Sequence, residues 1–117
     1  MNIIDSLADN FSGKADFLCV YIAEAHPTDE WHMEKCIDFT QPKTQAERKT
    51  IFERFLKKIQ PKQETVMDLI SNELMTAYEA WPERLYIIVN GVIKYRGGTG
   101  PFFYVPEEVK AWLDENL

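Results

Sequence analysis

The densest chemistry in the sequence lies in one stretch, Tyr21-Ile22-Ala23-Glu24-Ala25-His26-Pro27-Thr28-Asp29-Glu30-Trp31-His32. In an extended chain Glu24 and His26 project to the same side. A carboxylate beside an imidazole raises the imidazole pKa and fixes its tautomer, which suits proton donation. The same pair also fits a plain loop contact that only orders the chain. His26, Asp29 and His32 carry nitrogen and oxygen donors at a spacing that a metal could use. Pro27 works against the helix which that spacing would need, so no metal site is expected. Cys19 falls in an apolar run, where a buried free thiol is the ordinary outcome. Cys36 lies in an irregular segment and would be reactive only with a lowered pKa and exposure.

These residues sit where a strand leaves its sheet. Residues 16–23 (DFLCVYIA) are a short, nearly continuous apolar run rich in β-formers, the pattern of a strand covered on both faces. In open α/β sheets, ligand sites lie beyond the carboxyl ends of the strands. Before this strand, residues 2–12 place Ile3, Ile4, Leu7 and Phe11 on one helical face, and Gly13 is a natural stop. After the irregular residues 24–42, Thr44 and Glu47 form a T-x-x-E capping box. Ile51, Phe52, Phe55, Leu56 and Ile59 then make the apolar stripe of a helix ended by Pro61. Arg48, Lys49, Arg54, Lys57 and Lys58 read as its solvated face, with an anion-binding patch as the alternative.

Residues 64–69 suggest a short strand. Ser71 is a candidate N-cap for a helix over 72–81, with Leu74, Ala77, Tyr78 and Trp81 on one side. Residues 84–89 and 92–96 flank Asn90-Gly91, the signature of a hairpin with a type I′ turn. Gly97-Gly98-Thr99-Gly100-Pro101 is a loop, and Pro106 opens a final helix that buries Val109, Trp112 and Leu113. Helix and strand alternate and close on a hairpin and a covering helix. This is an α/β pattern, with a tail of the thioredoxin-like kind.

Composition narrows the function. The chain has 117 residues, one domain by length. Its net charge of −6 disfavours general nucleic-acid binding, although residues 43–62 are locally basic. Asp5 and Asp9 interrupt the first apolar stretch, so no secretory signal is expected. No run is long enough for a membrane anchor. Two cysteines, Cys19 and Cys36, are too few for a disulfide scaffold and too far apart for a CxxC pair. A cytoplasmic location follows as the expectation.

DFLCVYIAEAHPTDEW resembles the strand-and-loop signature of the iodothyronine deiodinases, selenoenzymes with a thioredoxin-like, peroxiredoxin-related fold. ERLYIIVNGVIKYRGGTGPFFYVPEEVKAWL is similar to that family's C-terminal end. The resemblance spans the chain and is weakest over residues 43–70. It implies a thiol- or selenol-dependent oxidoreductase that removes iodine reductively or reduces peroxide. It implies no bound cofactor, with an external thiol reductant and a small-molecule substrate as partners. Glu24 and His26 match the family's E-A-H pair, Tyr21 a tyrosine of the same network, and Thr28, Asp29 and Trp31 the following loop.

The chain departs from the family in three places. The family's nucleophile, in an S-C-T-U/C-P-P-F-like segment, would precede the first helix and has no counterpart here. The ring-contacting His falls at Lys43, and the Arg of the GG-R-GP loop is Thr99. Trp31, Lys43 and Thr99 are therefore the expected substrate contacts, with hormone-gripping residues changed at the last two. The strand leading to the nucleophile is central in such a sheet. Three outcomes are open: the nucleophile is encoded upstream, the two flanking strands pair directly, or a homodimer covers the gap. The alternative function is a non-catalytic thioredoxin-fold binding or dimerisation module.

Overall fold

A computed structural model of the protein describes residues 3–24 and 40–117. Its elements are α1 (Ile3–Asn10), β1 (Leu18–Tyr21), α2 (Gln45–Ile59), β2 (Glu64–Met67), α3 (Glu73–Ala77), β3 (Tyr86–Val89), β4 (Val92–Arg96) and α4 (Pro106–Asn116). This is the element order that the sequence periodicity predicts; the first three strands are shorter than expected, and β4 spans the expected residues 92–96.

The described strands form two small sheets. β1 pairs with β2 in parallel, with Leu18 opposite Glu64 and Tyr21 opposite Met67. The ladder continues one step further, where the Asp68 amide donates to the Tyr21 carbonyl at 2.9 Å. β3 pairs with β4 antiparallel, and a bulge falls between Ile87 and Ile88. Asn90 and Gly91 both adopt positive φ, at 51° and 78°, as the type I′ turn requires. Of the three outcomes open for the sheet, direct pairing of the two flanking strands is not what the described residues form: β1 and β3 belong to different ladders.

The expectation that the first strand is covered on both faces is corrected. Leu18 is 60 % exposed and only Tyr21 at the other end is buried. Among the described residues, β2 is the one strand that pairs with β1.

One core joins the two ends of the chain. Leu7 of α1 is buried against Val109 and Leu113 of α4. Phe17, Leu85, Ile87 and Tyr95 pack on the same cluster, so the chain leading into β1 and the β3–β4 hairpin share one helical layer. Each fully buried Leu or Val of this kind stabilises the fold by roughly 1.5–3 kcal/mol. Pro106 sits in the first turn of α4, with Glu107 and Glu108 beside it, where a missing N–H and negative charge are both favourable.

α2 starts on its capping box. Thr44 Oγ1 accepts from the Glu47 amide at 3.1 Å, and Glu47 Oε2 accepts from the Lys43 amide at 2.9 Å. Gln60, in the left-handed region at φ 49°, ends the helix before Pro61. The basic face is not uniformly solvated as expected: Arg48 is 2 % exposed. Arg48 lies three and four residues before Ile51 and Phe52, so it belongs to the apolar stripe and not to the face opposite. α3 is shorter than predicted, and its N-cap is Asn72, not Ser71.

Candidate functional site

The site is assembled where β1 and β2 end together. Tyr21 closes β1 with its ring buried against α2, 5.4 Å from the Phe52 ring and 5.0 Å from that of Phe55. This fixes the ring and sends the hydroxyl past the end of the strand, where it donates to the Glu24 carboxylate. Burial, and then the Glu24 carboxylate, push the Tyr21 phenol far above its ordinary value. At neutral pH the phenol therefore holds its proton and serves as a donor to Glu24.

Two further contacts hold this corner. Gln41 Nε2 donates to the Glu24 carbonyl at 3.0 Å, so the chain that leaves at residue 24 is tied to the chain that returns at residue 41. Arg48, from the first turns of α2, donates through Nη1 to the Leu69 carbonyl at 2.6 Å and reaches the Asp68 carbonyl at 3.5 Å. Burial lowers the Arg48 pKa, while Asp68, Tyr21 and Glu24 oppose that shift through their charge.

Asp68, 1 % exposed, completes the frame. Its Oδ1 accepts from the amides of Leu69 (2.9 Å) and Leu74 (3.1 Å), and its Oδ2 from that of Met75 (3.0 Å). A carboxylate with that many backbone donors is well compensated even when buried. Asp68 thus performs the capping of α3 that Ser71 was expected to do. Beside this frame lies a cavity of about 290 Å³ lined by Ala23, Gln41, Pro42, Arg48, Asn72, Met75 and Trp81.

Of the expected catalytic residues, Tyr21 and Glu24 are brought together. His26 and Thr28 lie outside the described residues, as do Trp31, the metal-spaced Asp29 and His32, and Cys36. Lys43 is exposed, its amide engaged in the cap of α2. Thr99 is half-buried in the loop after β4, where its carbonyl accepts from the Phe103 amide at 3.1 Å. That loop is tight, because a side chain at Gly98 would collide with Phe103. Cys19 is half-buried in β1, and burial raises its pKa, the opposite of a reactive thiol.

Sequence reasoning missed Arg48, Asp68, Gln41 and Asn72. The signal for Arg48 was its place on the apolar stripe. For Asp68 it was an acid a few residues ahead of a short helix, a capping residue displaced along the chain.

The comparisons with known proteins give the family. The family model for iodothyronine deiodinase matches residues 1–117. The chain is 37 % identical over 111 residues to a type I iodothyronine deiodinase of Xenopus laevis, covering 95 % of this chain and 44 % of that protein. It is 35 % identical over 123 residues to a type II iodothyronine deiodinase of Gallus gallus, covering 100 % of this chain and 44 % of that protein. With a thyroxine 5-deiodinase of Bos taurus it shares 36 % identity over 114 residues, 97 % of this chain and 38 % of that protein. The chain belongs to the iodothyronine deiodinase family. It spans less than half the length of these relatives. Among the described residues, no helix is long and apolar enough to cross a membrane.

Proposed function

We propose that this chain supplies the proton-handling part of a deiodinase-like, thiol- or selenol-dependent oxidoreductase whose nucleophile lies outside residues 1–117. The single observation that carries the reading is the Tyr21–Glu24 hydrogen bond at the end of β1, in a chain of this family. In the reaction, a selenolate or thiolate takes the halogen from an aryl carbon. The carbon–halogen bond breaks, a selenium– or sulfur–halogen bond forms, and the carbon keeps the electron pair and accepts a proton. His26 gives that proton, with Glu24 holding the imidazole and Tyr21 and Thr28 in support. Two external thiols then restore the selenol, releasing halide and forming a disulfide. With peroxide as substrate, the same nucleophile would cleave the O–O bond.

Trp31, Lys43 and Thr99 are the proposed substrate contacts. The fold that this chemistry calls for is thioredoxin-like, with the nucleophile's strand between β1 and β3. The reading places the protein in the cytoplasm, acting on a small molecule.

The test is to express the chain with the coding sequence that precedes Met1 and to assay thiol-dependent release of iodide from an iodoaryl substrate. An in-frame TGA or Cys codon followed by a Pro-Pro-Phe-like stretch is expected, with turnover falling at least tenfold in Glu24→Gln. No such codon and no thiol-dependent turnover overturns the reading.

A second reading, a non-catalytic module that forms a homodimer, is favoured by the open hairpin. Ile88 (50 % exposed) and its cross-strand partner Ile93 (49 %) are exposed on one face of that sheet, and Val92 (53 %) on the other. Sedimentation showing a monomer at micromolar concentration would dispose of it.

A further inference from the structure

The hairpin turn holds a carboxamide and an unshielded backbone nitrogen side by side. Asn90 is the one asparagine of this chain that is followed by glycine; Asn2, Asn10, Asn72 and Asn116 precede Ile3, Phe11, Glu73 and Leu117, whose side chains crowd the backbone nitrogen. Asn90 and Gly91 are both exposed at the tip of the β3–β4 hairpin. A Cβ at Gly91 would meet nothing within 4 Å, so nothing stands over the turn at that residue. The ladder closes on Val89 and Val92. Among the described residues, the Gly91 N–H donates none of the turn's backbone hydrogen bonds.

The backbone already has half of the geometry that ring closure needs. Asn90 has φ 51° and Gly91 φ 78°, a type I′ turn. Rotating the peptide plane between them gives type II′, the other two-residue hairpin turn. Asn90 keeps its positive φ in both, while its ψ moves from about 30° to about −120°. Gly91 moves to a negative φ, which glycine accepts as readily as a positive one. In the rotated turn the Gly91 nitrogen eclipses the Asn90 Cβ, within reach of the side-chain carbonyl carbon.

We propose that Asn90-Gly91 is a site of spontaneous deamidation, reached by this rotation without unfolding of the protein. The Gly91 nitrogen gives up its proton and bonds to Asn90 Cγ. The Cγ–Nδ2 bond breaks, and Nδ2 leaves as ammonia. Water then opens the five-membered imide. Hydrolysis at Cγ leaves aspartate on an unaltered backbone. Hydrolysis at the main-chain carbonyl leaves isoaspartate, with the chain running through the former side chain and one backbone atom longer. A two-residue turn cannot absorb that extra atom and keep Val89 opposite Val92. Leu85, Ile87 and Tyr95 of the hairpin region pack on the core of Leu7, Val109 and Leu113, so the lesion at the tip loosens contacts well away from it. The inference does not rest on the redox reading, which leaves this turn unused.

The 117-residue chain and a synthetic peptide of residues 85–94 are incubated side by side at pH 7 and pH 9. Trypsin, cutting after Arg84 and Lys94, releases the same segment from the protein. Mass spectrometry follows the exchange of NH₂ for OH, and electron-transfer fragmentation separates isoaspartate from aspartate. Asn90 is expected to convert before any other asparagine, faster at pH 9 than at pH 7. Its rate in the folded chain should fall within about a hundredfold of the peptide's, because a reaction that waited for global unfolding would be slowed by roughly 10³-fold or more. The Asn90→Asp variant carries the new charge on a normal backbone, and it should unfold at a higher urea concentration than the isoaspartate fraction does. A folded chain slower than that hundredfold limit overturns the inference, as does another asparagine converting first. Equal urea midpoints for the isoaspartate fraction and Asn90→Asp also overturn it, since the altered turn would then leave the hairpin intact.

Discussion

The guanidinium of Arg48 lies 2.6 Å from the carbonyl oxygen of Leu69, joining the first turns of α2 to the chain just beyond β2. The contact is part-buried, made by a buried side chain, and it fixes the place where the strands β1 and β2 both end. Everything described of the candidate site hangs from that corner.

Arg48→Lys keeps the charge and loses the planar fork. An ammonium cannot reach both carbonyls from the same backbone position with the same geometry. The expected loss of stability is about 2 kcal/mol, read from urea unfolding by circular dichroism. A change below about 0.5 kcal/mol, the range of an ordinary surface substitution, would show that the buried contact contributes little.

Asp68→Asn replaces one acceptor oxygen with an NH₂ group that faces backbone N–H donors. One of the amides of Leu74 and Met75 is left unpaired, at a cost of about 1–3 kcal/mol. The effect should be local as well as global. Hydrogen exchange at Leu74 and Met75 speeds up more than exchange at Val109 in α4, and uniform acceleration would contradict a capping role.

Tyr21 makes stability fall on the alkaline side. Burial first, and the Glu24 carboxylate second, raise its folded-state pKa above the ordinary 10.0. The unfolded chain therefore gives up this proton at a lower pH than the folded chain does. The stabilisation is complete below about pH 10 and drains away above it, at up to about 1.4 kcal/mol per pH unit for this one group. Cys19, raised by burial from 9.0, adds a fall that begins about one unit earlier. Urea unfolding of Tyr21→Phe at pH 8 and pH 10.5 should show a smaller alkaline loss than the parent. An equal loss would assign the effect to other groups.

Gly91→Val tests the hairpin. Space is not the obstacle, since a Cβ at Gly91 would meet nothing within 4 Å. The φ of 78° is, because a β-branched residue strongly disfavours it. Destabilisation of about 1–2 kcal/mol is expected. Gly91→Asn, which tolerates the left-handed region, should recover most of it.

What the sequence made legible was local. The hairpin turn, the cap of α2 and the first turn of α4 each depend on residues within a few positions of one another, and each formed as its motif requires. Tyr21 was named through the family resemblance alone and Glu24 as the partner of His26, so the hydrogen bond between Tyr21 and Glu24 is what the structure adds. The Arg48–Leu69 contact and the capping of α3 by Asp68 were not, because they join elements that meet only once β1 and β2 lie side by side. A basic residue on a helix reads as solvated until the strand that covers it is in place. The covering of β1 was over-read for the same reason: an apolar run states what could be buried, not what arrives to bury it.

The two ladders also differ in how far apart their members lie in the chain, and this bears on the order of assembly. The β3–β4 hairpin closes over a two-residue turn, Asn90-Gly91, so its formation loses little chain entropy. The β1–β2 ladder joins Leu18 to Glu64 with all of α2 between them. Tyr21, Asp68 and Arg48 meet only after that long excursion has folded back. The corner that holds the Tyr21–Glu24 pair therefore rests on contacts much less local than those of the hairpin. It should form after the hairpin during folding and open before it when the protein is stressed.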